Sequence, residues 1–303
     1  MTKARTTSRK KTTIRKTAKP TATRTRAISV HIGLNAVNPG HYSGWSGDLL
    51  ACEFDANDME KLAGERGFES HKLLTKAATA DALTSALEDA AKKLESGDML
   101  LSTYSGHGGQ VPDANGDEPD RMDETWVLYD RQLVDDELYA LLGTFKPGVR
   151  IALFSDSCHS GTVAKDAVDL VGPERVARSV NGNGSQQPRV KGMPDDVVRS
   201  VYEANKETYD EIQKSLPPFD KADIGASVIL TSGCQDNQTS LDGDKNGLFT
   251  QTLLQVWNDG RFKSGYRTFR RHIARQMPPW QSPNLFIVGS PNPTFANQVP
   301  FTV

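Results

Sequence analysis

The chain has 303 residues, 37% of them hydrophobic, enough to bury one large core or two small ones. No run approaches the roughly 20 apolar residues of a bilayer span, which excludes a membrane-spanning helix. Three cysteines, Cys52, Cys158 and Cys234, are too few and too scattered for a disulfide framework or a zinc site, and suit a reducing cytosol. The net charge of -2 conceals an asymmetry: residues 1–26 carry ten Lys or Arg and no acid, leaving about -12 on the remainder.

That basic, Thr-rich head, residues 1–26, is too polar to pack and reads as a disordered tail without the apolar centre of a secretory signal. Weak, salt-sensitive nucleic-acid contact is its sharper reading, though it has no interleaved aromatics to stack bases. Ala27 to Gly33 alternates Ile28, Val30 and Ile32 and predicts the first strand. Asn35 to Gly47, with three glycines and a proline, is a loop able to cover strand ends. Cys52, Ala56, Met59 and Ala63 mark an amphipathic helix over 51–66. A short strand over 70–74 and a helix over 79–95 follow, the latter stopped by Gly97.

Met99-Leu100-Leu101 and Ile151-Ala152-Leu153-Phe154 are short apolar runs bounded by Gly and Ser, as buried parallel strands require. Between them lie an acidic loop over 111–124, a short ribbon around 126–133 and a brief helix over 135–142. Beyond Gly161 the sequence loosens: 162–223 contains NGNGSQQP and a Pro-Pro pair, with one helix predicted over 195–215. A strand over 227–231, an acidic loop over 236–246, helices over 248–258 and 268–276, and a strand over 285–288 complete the pattern. The alternation predicts one α/β sandwich with a mostly parallel sheet of about six strands. Its domain spans 27–290: a large segment 27–161, a linker 162–223 and a small segment 224–290, with 291–303 as a C-terminal tail.

Chemistry gathers beyond the carboxyl ends of strands in such sheets. Two motifs stand there: Ser105-Gly106-His107-Gly108-Gly109 and Asp156-Ser157-Cys158-His159-Ser160-Gly161. A thiol and an imidazole on one rim supply a nucleophile and its base. A cysteine alone would read as a buried structural thiol; the paired motifs argue for catalysis. His159, beside the nucleophile, reads as structural. Asp156, two residues before Cys158, suits a pocket that pairs with Arg or Lys and repels Asp.

The two motifs, 51 residues apart, resemble those of the metacaspases, and the stretch from Gly33 to Met59 resembles the first strand and helix of their prokaryotic branch. The resemblance covers about residues 27 to 290. It implies a caspase-like α/β/α fold and a cysteine endopeptidase with His107 and Cys158 as catalytic dyad. The amides of Gly108 and Cys158 would form the oxyanion hole, and Asp55, Ser105, Asp156 and Asp123 a pocket for Arg or Lys. Its substrates would be peptides or proteins with a basic residue before the scissile bond, and no cofactor is obligatory. Calcium is the candidate ion, at Asp135 and Asp136, hard oxygen ligands; the family's further acidic position falls here on Lys165. Asp113 to Asp117 and Asp242 to Gly247 mimic calcium loops but lack the closing Glu, and read as acidic loops.

Basic residues at Arg175, Arg178, Arg189, Lys191, Arg199, Lys206, Lys214 and Lys221 make 162–223 a candidate for self-cleavage beside the active site; alternatively, helix 195–215 packs over the cleft and only occludes it. An α/β-hydrolase reading fails because its elbow needs glycine where Asp156 and Ser160 stand. The remaining alternative is a non-catalytic caspase-fold scaffold, which would be expected to lose Cys or His; both are present.

Overall fold

The computed structural model describes residues 25–116, 118, 120–158, 189–216, 223–235 and 238–303. The basic head up to residue 24, His159, Lys165, Arg175, Arg178 and Lys221 lie outside them.

Six strands form the central sheet in the order β11-β9-β7-β3-β1-β2. They are β1 (Ala27–Gly33), β2 (Glu69–Leu74), β3 (Met99–Ser105), β7 (Arg150–Asp156), β9 (Ser227–Ser232) and β11 (Asn284–Gly289). All pairs are parallel except β11 with β9. Every residue of β1 and β3 is buried, including the polar Ser29, His31, Ser102 and Thr103.

Helices cover both faces. On one, α2 (Ala80–Lys93) and α3 (Asp135–Gly143) bury Leu83, Leu87, Leu138 and Leu142 against Val30, Leu100, Ile151 and Val228. On the other, α1 (Cys52–Glu65), α5 (Leu248–Trp257) and α6 (Tyr266–Gln276) bury Met59, Leu253 and Phe269 with Leu101, Phe154 and Ile229. Thr79 caps α2 by accepting the Ala82 amide, as its sequence suggests. α1 is capped from the preceding loop: the Glu53 amide donates to Asn35 Oδ1 at 3.2 Å, while the amides of Leu50 and Ala51, just ahead of the helix, donate to the carboxylate of Asp242.

Four features differ from the sequence reading. The acidic loop after His107 begins and ends as sheet: β4 (Gly108–Pro112), β5 (Met122–Val127) and β6 (Gln132–Val134) form an antiparallel ribbon. Within the second acidic loop, β10 (Leu241–Asp242) pairs antiparallel with β8 (Arg189–Val190). The helix at 195–215, α4 (Asp195–Ser215), packs Val201 and Tyr209 on the ribbon beside Tyr42 and Val134, and does not itself fill the cleft. Residues 291–303 are no tail. α7 (Pro293–Asn297) and the end of the chain bury Phe295 and Phe301 among Phe154, Trp257 and Phe269, because two aromatic anchors outweigh the polar residues around them.

Candidate active site

β3 and β7 are neighbours in register, with Ser105 opposite Asp156. Two residues beyond this pair stand His107 and Cys158, so the parallel ladder itself delivers the imidazole and the thiol to one rim. Both are buried. Burial pushes the Cys158 thiol up to about 12 and the His107 imidazole down to about 4, so both groups rest neutral at pH 7.

The loop over 35–47 holds His107. Nε2 lies 3.0 Å from the carbonyl of Gly47, and Trp45 packs on the ring with centroids 4.7 Å apart. A carbonyl only accepts, so this contact places the ring proton on Nε2 and leaves Nδ1, which has no hydrogen-bond partner, as the basic nitrogen. Gly47 is itself left-handed, at φ 57°, and a Cβ there would stand 3.1 Å from the imidazole. Glycine is required at that position on both counts.

The amides of Gly108 and Cys158 point at one acceptor. Each donates to the carbonyl oxygen of Lys191, at 3.0 and 3.1 Å. Two convergent backbone donors beside a cysteine form the geometry that stabilises an oxyanion.

The Lys191 side chain enters a buried acidic pocket. Its Nζ is 3.0 Å from Asp55 Oδ2, 3.2 Å from Asp156 Oδ2 and 2.9 Å from Ser105 Oγ. Burial opposes the ammonium charge, but Asp156 and Asp55 raise its pKa well above the ordinary lysine value. Burial raises Asp55 to about 6, against the pull of Lys191.

The amino end of α5 holds the two carboxylates. The Gly247 amide donates to Asp55, and the Thr250 amide and hydroxyl donate to Asp156 at 3.2 and 2.9 Å. Ser240 adds a hydroxyl donor to Asp156, and Asn246 an amide donor to Asp55. A helix amino terminus favours negative charge, which offsets the cost of burying two acids side by side. Gly247 also shapes the pocket: a Cβ there would lie 2.2 Å from Lys191 Nζ and 2.4 Å from Asp156 Oδ2.

Asp55, Ser105 and Asp156 therefore converge as expected, and Asp123 stands elsewhere. It sits on β5 opposite Val111, in the acidic neighbourhood of Asp135. Register decides this: β4 runs away from the rim and β5 returns antiparallel to it, so Asp123 lies near the end far from Gly108. The expected metal pair also separates. Asp136 accepts from the Asn115 side chain at 2.7 Å, whereas Asp135 gathers with Glu118 and Glu124, one carboxylate oxygen from each within 4.8 Å of the others. Burial and then Glu124, Asp123, Asp136 and Glu118 push Asp135 up to about 9. Such crowding needs a proton or a cation, and three carboxylates fit a hard divalent ion. Lys191, Gly247, Gly47 and Ser240 were missing from the sequence-derived site. A lysine in a loose linker and three small loop residues carry no local signal of function.

A thiol and an imidazole thus share one rim of a mostly parallel six-stranded sheet. The chain matches the caspase domain family over residues 36–296 and belongs to that family. Within it the protein is metacaspase-like. It is 29% identical over 257 residues to Metacaspase-1 of Mycosarcoma maydis, covering 75% of this chain and 61% of that one. With Metacaspase-1A of Aspergillus oryzae it shares 32% identity over 259 residues, 73% of this chain and 57% of that one. The chain thus spans about three fifths of these curated relatives. The crystal structure of protein GSU0716 from Geobacter sulfurreducens is 51% identical, with a TM-score of 0.81 over 92% of this chain and 99% of that one. Among the described residues no helix is long and apolar enough to cross a membrane.

Proposed function

We infer that the protein is a cysteine endopeptidase that cleaves after Arg or Lys. The observation that carries this reading is the lysine already seated in the cleft, with its ammonium between Asp55 and Asp156 and its carbonyl on the Gly108 and Cys158 amides. Cys158 Sγ attacks the scissile carbonyl while His107 Nδ1 takes the thiol proton. The oxyanion gathers the two amides, and His107 returns the proton to the leaving amine. Water then hydrolyses the thioester, again through His107. Gly47 keeps the ring oriented throughout by holding Nε2–H.

Two carboxylates favour a cation and reject an acidic side chain, which would sit against them unpaired. Calcium is proposed as a ligand of Glu118, Glu124 and Asp135, a structural ion that neutralises their crowding. Self-processing in 162–223 belongs to the same reading, as does residence in a reducing compartment such as the cytosol, since the three thiols are free.

Hydrolysis of fluorogenic peptides ending in Arg, Lys, Asp or Asn, with and without calcium, tests this. Arg and Lys peptides are expected to turn over, and a preference for Asp would overturn the reading. Cys158→Ala and His107→Ala should each lower kcat/KM by about a thousandfold or more, with the circular-dichroism melt little changed. Turnover persisting in purified Cys158→Ala would remove the nucleophile.

A further inference from the structure

We propose that the Lys191–Gly192 peptide bond is the self-cleavage site of this chain, lying in its own cleft as a substrate presented in cis. The proposal rests on the reading of Cys158 and His107 as the dyad of a basic-specific peptidase, and adds the identity of the bond.

Several contacts fix the bond. Among the described residues Lys191 is the basic side chain paired with both Asp55 and Asp156. Its carbonyl is also the group on the Gly108 and Cys158 amides. Side chain and carbonyl thus satisfy the specificity pocket and the oxyanion donors together, which a lysine serving only as a structural counter-ion has no need to do.

The backbone is extended on both sides of the bond. Upstream, Arg189 and Val190 pair antiparallel with Asp242 and Leu241, and the Lys191 amide donates to the Ser240 carbonyl at 2.9 Å. Downstream, Gly192 bridges Gly108, and the Met193 amide donates to the Gly108 carbonyl at 2.8 Å. Strand addition across a cleft, with one side chain in a deep pocket, is how peptidases hold a peptide. The tether gives the segment a high effective concentration.

The step balances with one water. Cys158 Sγ bonds to the Lys191 carbonyl carbon, and the bond from that carbon to the Gly192 nitrogen breaks. The thiol proton passes through His107 to the new Gly192 amine. Water then releases Lys191 as a carboxylate and restores the thiol. By the same contacts, the sequence Arg-Val-Lys before the cut defines a peptide substrate, with Gly-Met after it.

Intact-mass analysis of the full chain, alongside peptidase assays, tests the assignment. Wild type and Lys191→Arg should yield two fragments, one ending at position 191 and one beginning Gly192-Met193. Both fragments should be absent from Cys158→Ala and from Lys191→Gln. Lys191→Gln should keep the circular-dichroism spectrum and the cooperative melt of wild type, which shows that loss of the cut is not loss of the fold. An intact chain, or cuts only at other bonds, in wild type that turns over Arg peptides would overturn this inference alone. The same cut in Cys158→Ala would overturn it as well. A wild type that stays intact and hydrolyses neither Arg nor Lys peptides would overturn the functional reading along with it.

Discussion

Gly247 shows how much of the specificity pocket depends on a missing side chain. Its backbone, at φ -60° and ψ 151°, is open to any residue, so alanine there brings no backbone strain. The added methyl would instead stand in the pocket, 2.2 Å from the lysine ammonium and 2.4 Å from Asp156. Gly247→Ala should therefore lower kcat/KM for Arg and Lys peptides by about 10- to 100-fold, the equivalent of about 1–3 kcal/mol of overpacking, with the loss mainly in KM. Steady-state kinetics beside a thermal melt checks this; equal losses for every peptide would sink it. Asp55 sets a pH dependence at the same place. Burial, with Asp156, holds its pKa up at about 6 even though the lysine in the pocket lowers it. An empty pocket lacks that cation, so Asp55 then takes a proton more readily, and a basic substrate must expel it. Acidification through about pH 6 should raise KM for Arg peptides, and Asp55→Asn should flatten that limb while raising KM at pH 8. A KM in wild type that stays constant from pH 8 to 5 would contradict it.

At the scale of elements, the ribbon β4-β5-β6 and the start of α3 carry the acidic cluster. α3 opens with Asp135, Asp136 and Glu137, and Glu137 closes the turn by accepting the Val134 amide at 3.0 Å. Acids at a helix amino terminus are favourable. Asp135 is nevertheless pushed up to about 9, because burial, Glu124, Asp123, Asp136 and Glu118 outweigh the helix end. Calcium should relieve this crowding: at about 100 times its Kd it adds about 2.7 kcal/mol, raising Tm by several degrees. Asp135→Asn should melt higher than wild type without calcium and respond little to added ion. A melt of both proteins with and without calcium decides, and an equal calcium shift in both would place the ion elsewhere.

At the scale of the whole molecule, the proposed cut falls between elements of one sheet. β7 precedes it and β9 follows it, yet the two pair in parallel from Arg150–Ser227 to Ser155–Ser232. Apolar side chains from both sides of the cut also share a core, Phe154 with Phe249, Phe295 and Phe301 among them. Cleaved protein should therefore elute in size-exclusion chromatography at the position of the intact chain and separate only in denaturant. Fragments that part in native buffer would show that the sheet does not hold them.

The sequence by itself determined the alternation of strand and helix, because buried parallel strands and amphipathic helices carry their periods locally. It also placed His107 and Cys158, whose glycine-rich motifs follow apolar runs, and brought Asp55, Ser105 and Asp156 forward through family likeness. Tertiary structure decided the rest, for reasons of distance along the chain. Whether Asp123 joined the pocket depended on the course of β5, and whether Asp135 stayed with Asp136 depended on α3 turning them apart. The C-terminal residues looked like a tail until Phe295 met Tyr266 and Phe301 met Trp257. Above all, nothing local marks Lys191: it is one basic residue among nine in a loosely patterned stretch. Its place follows from β8 pairing with β10 and from Asp55, Ser105 and Asp156 arriving on three different elements, a convergence created only when the sheet is assembled.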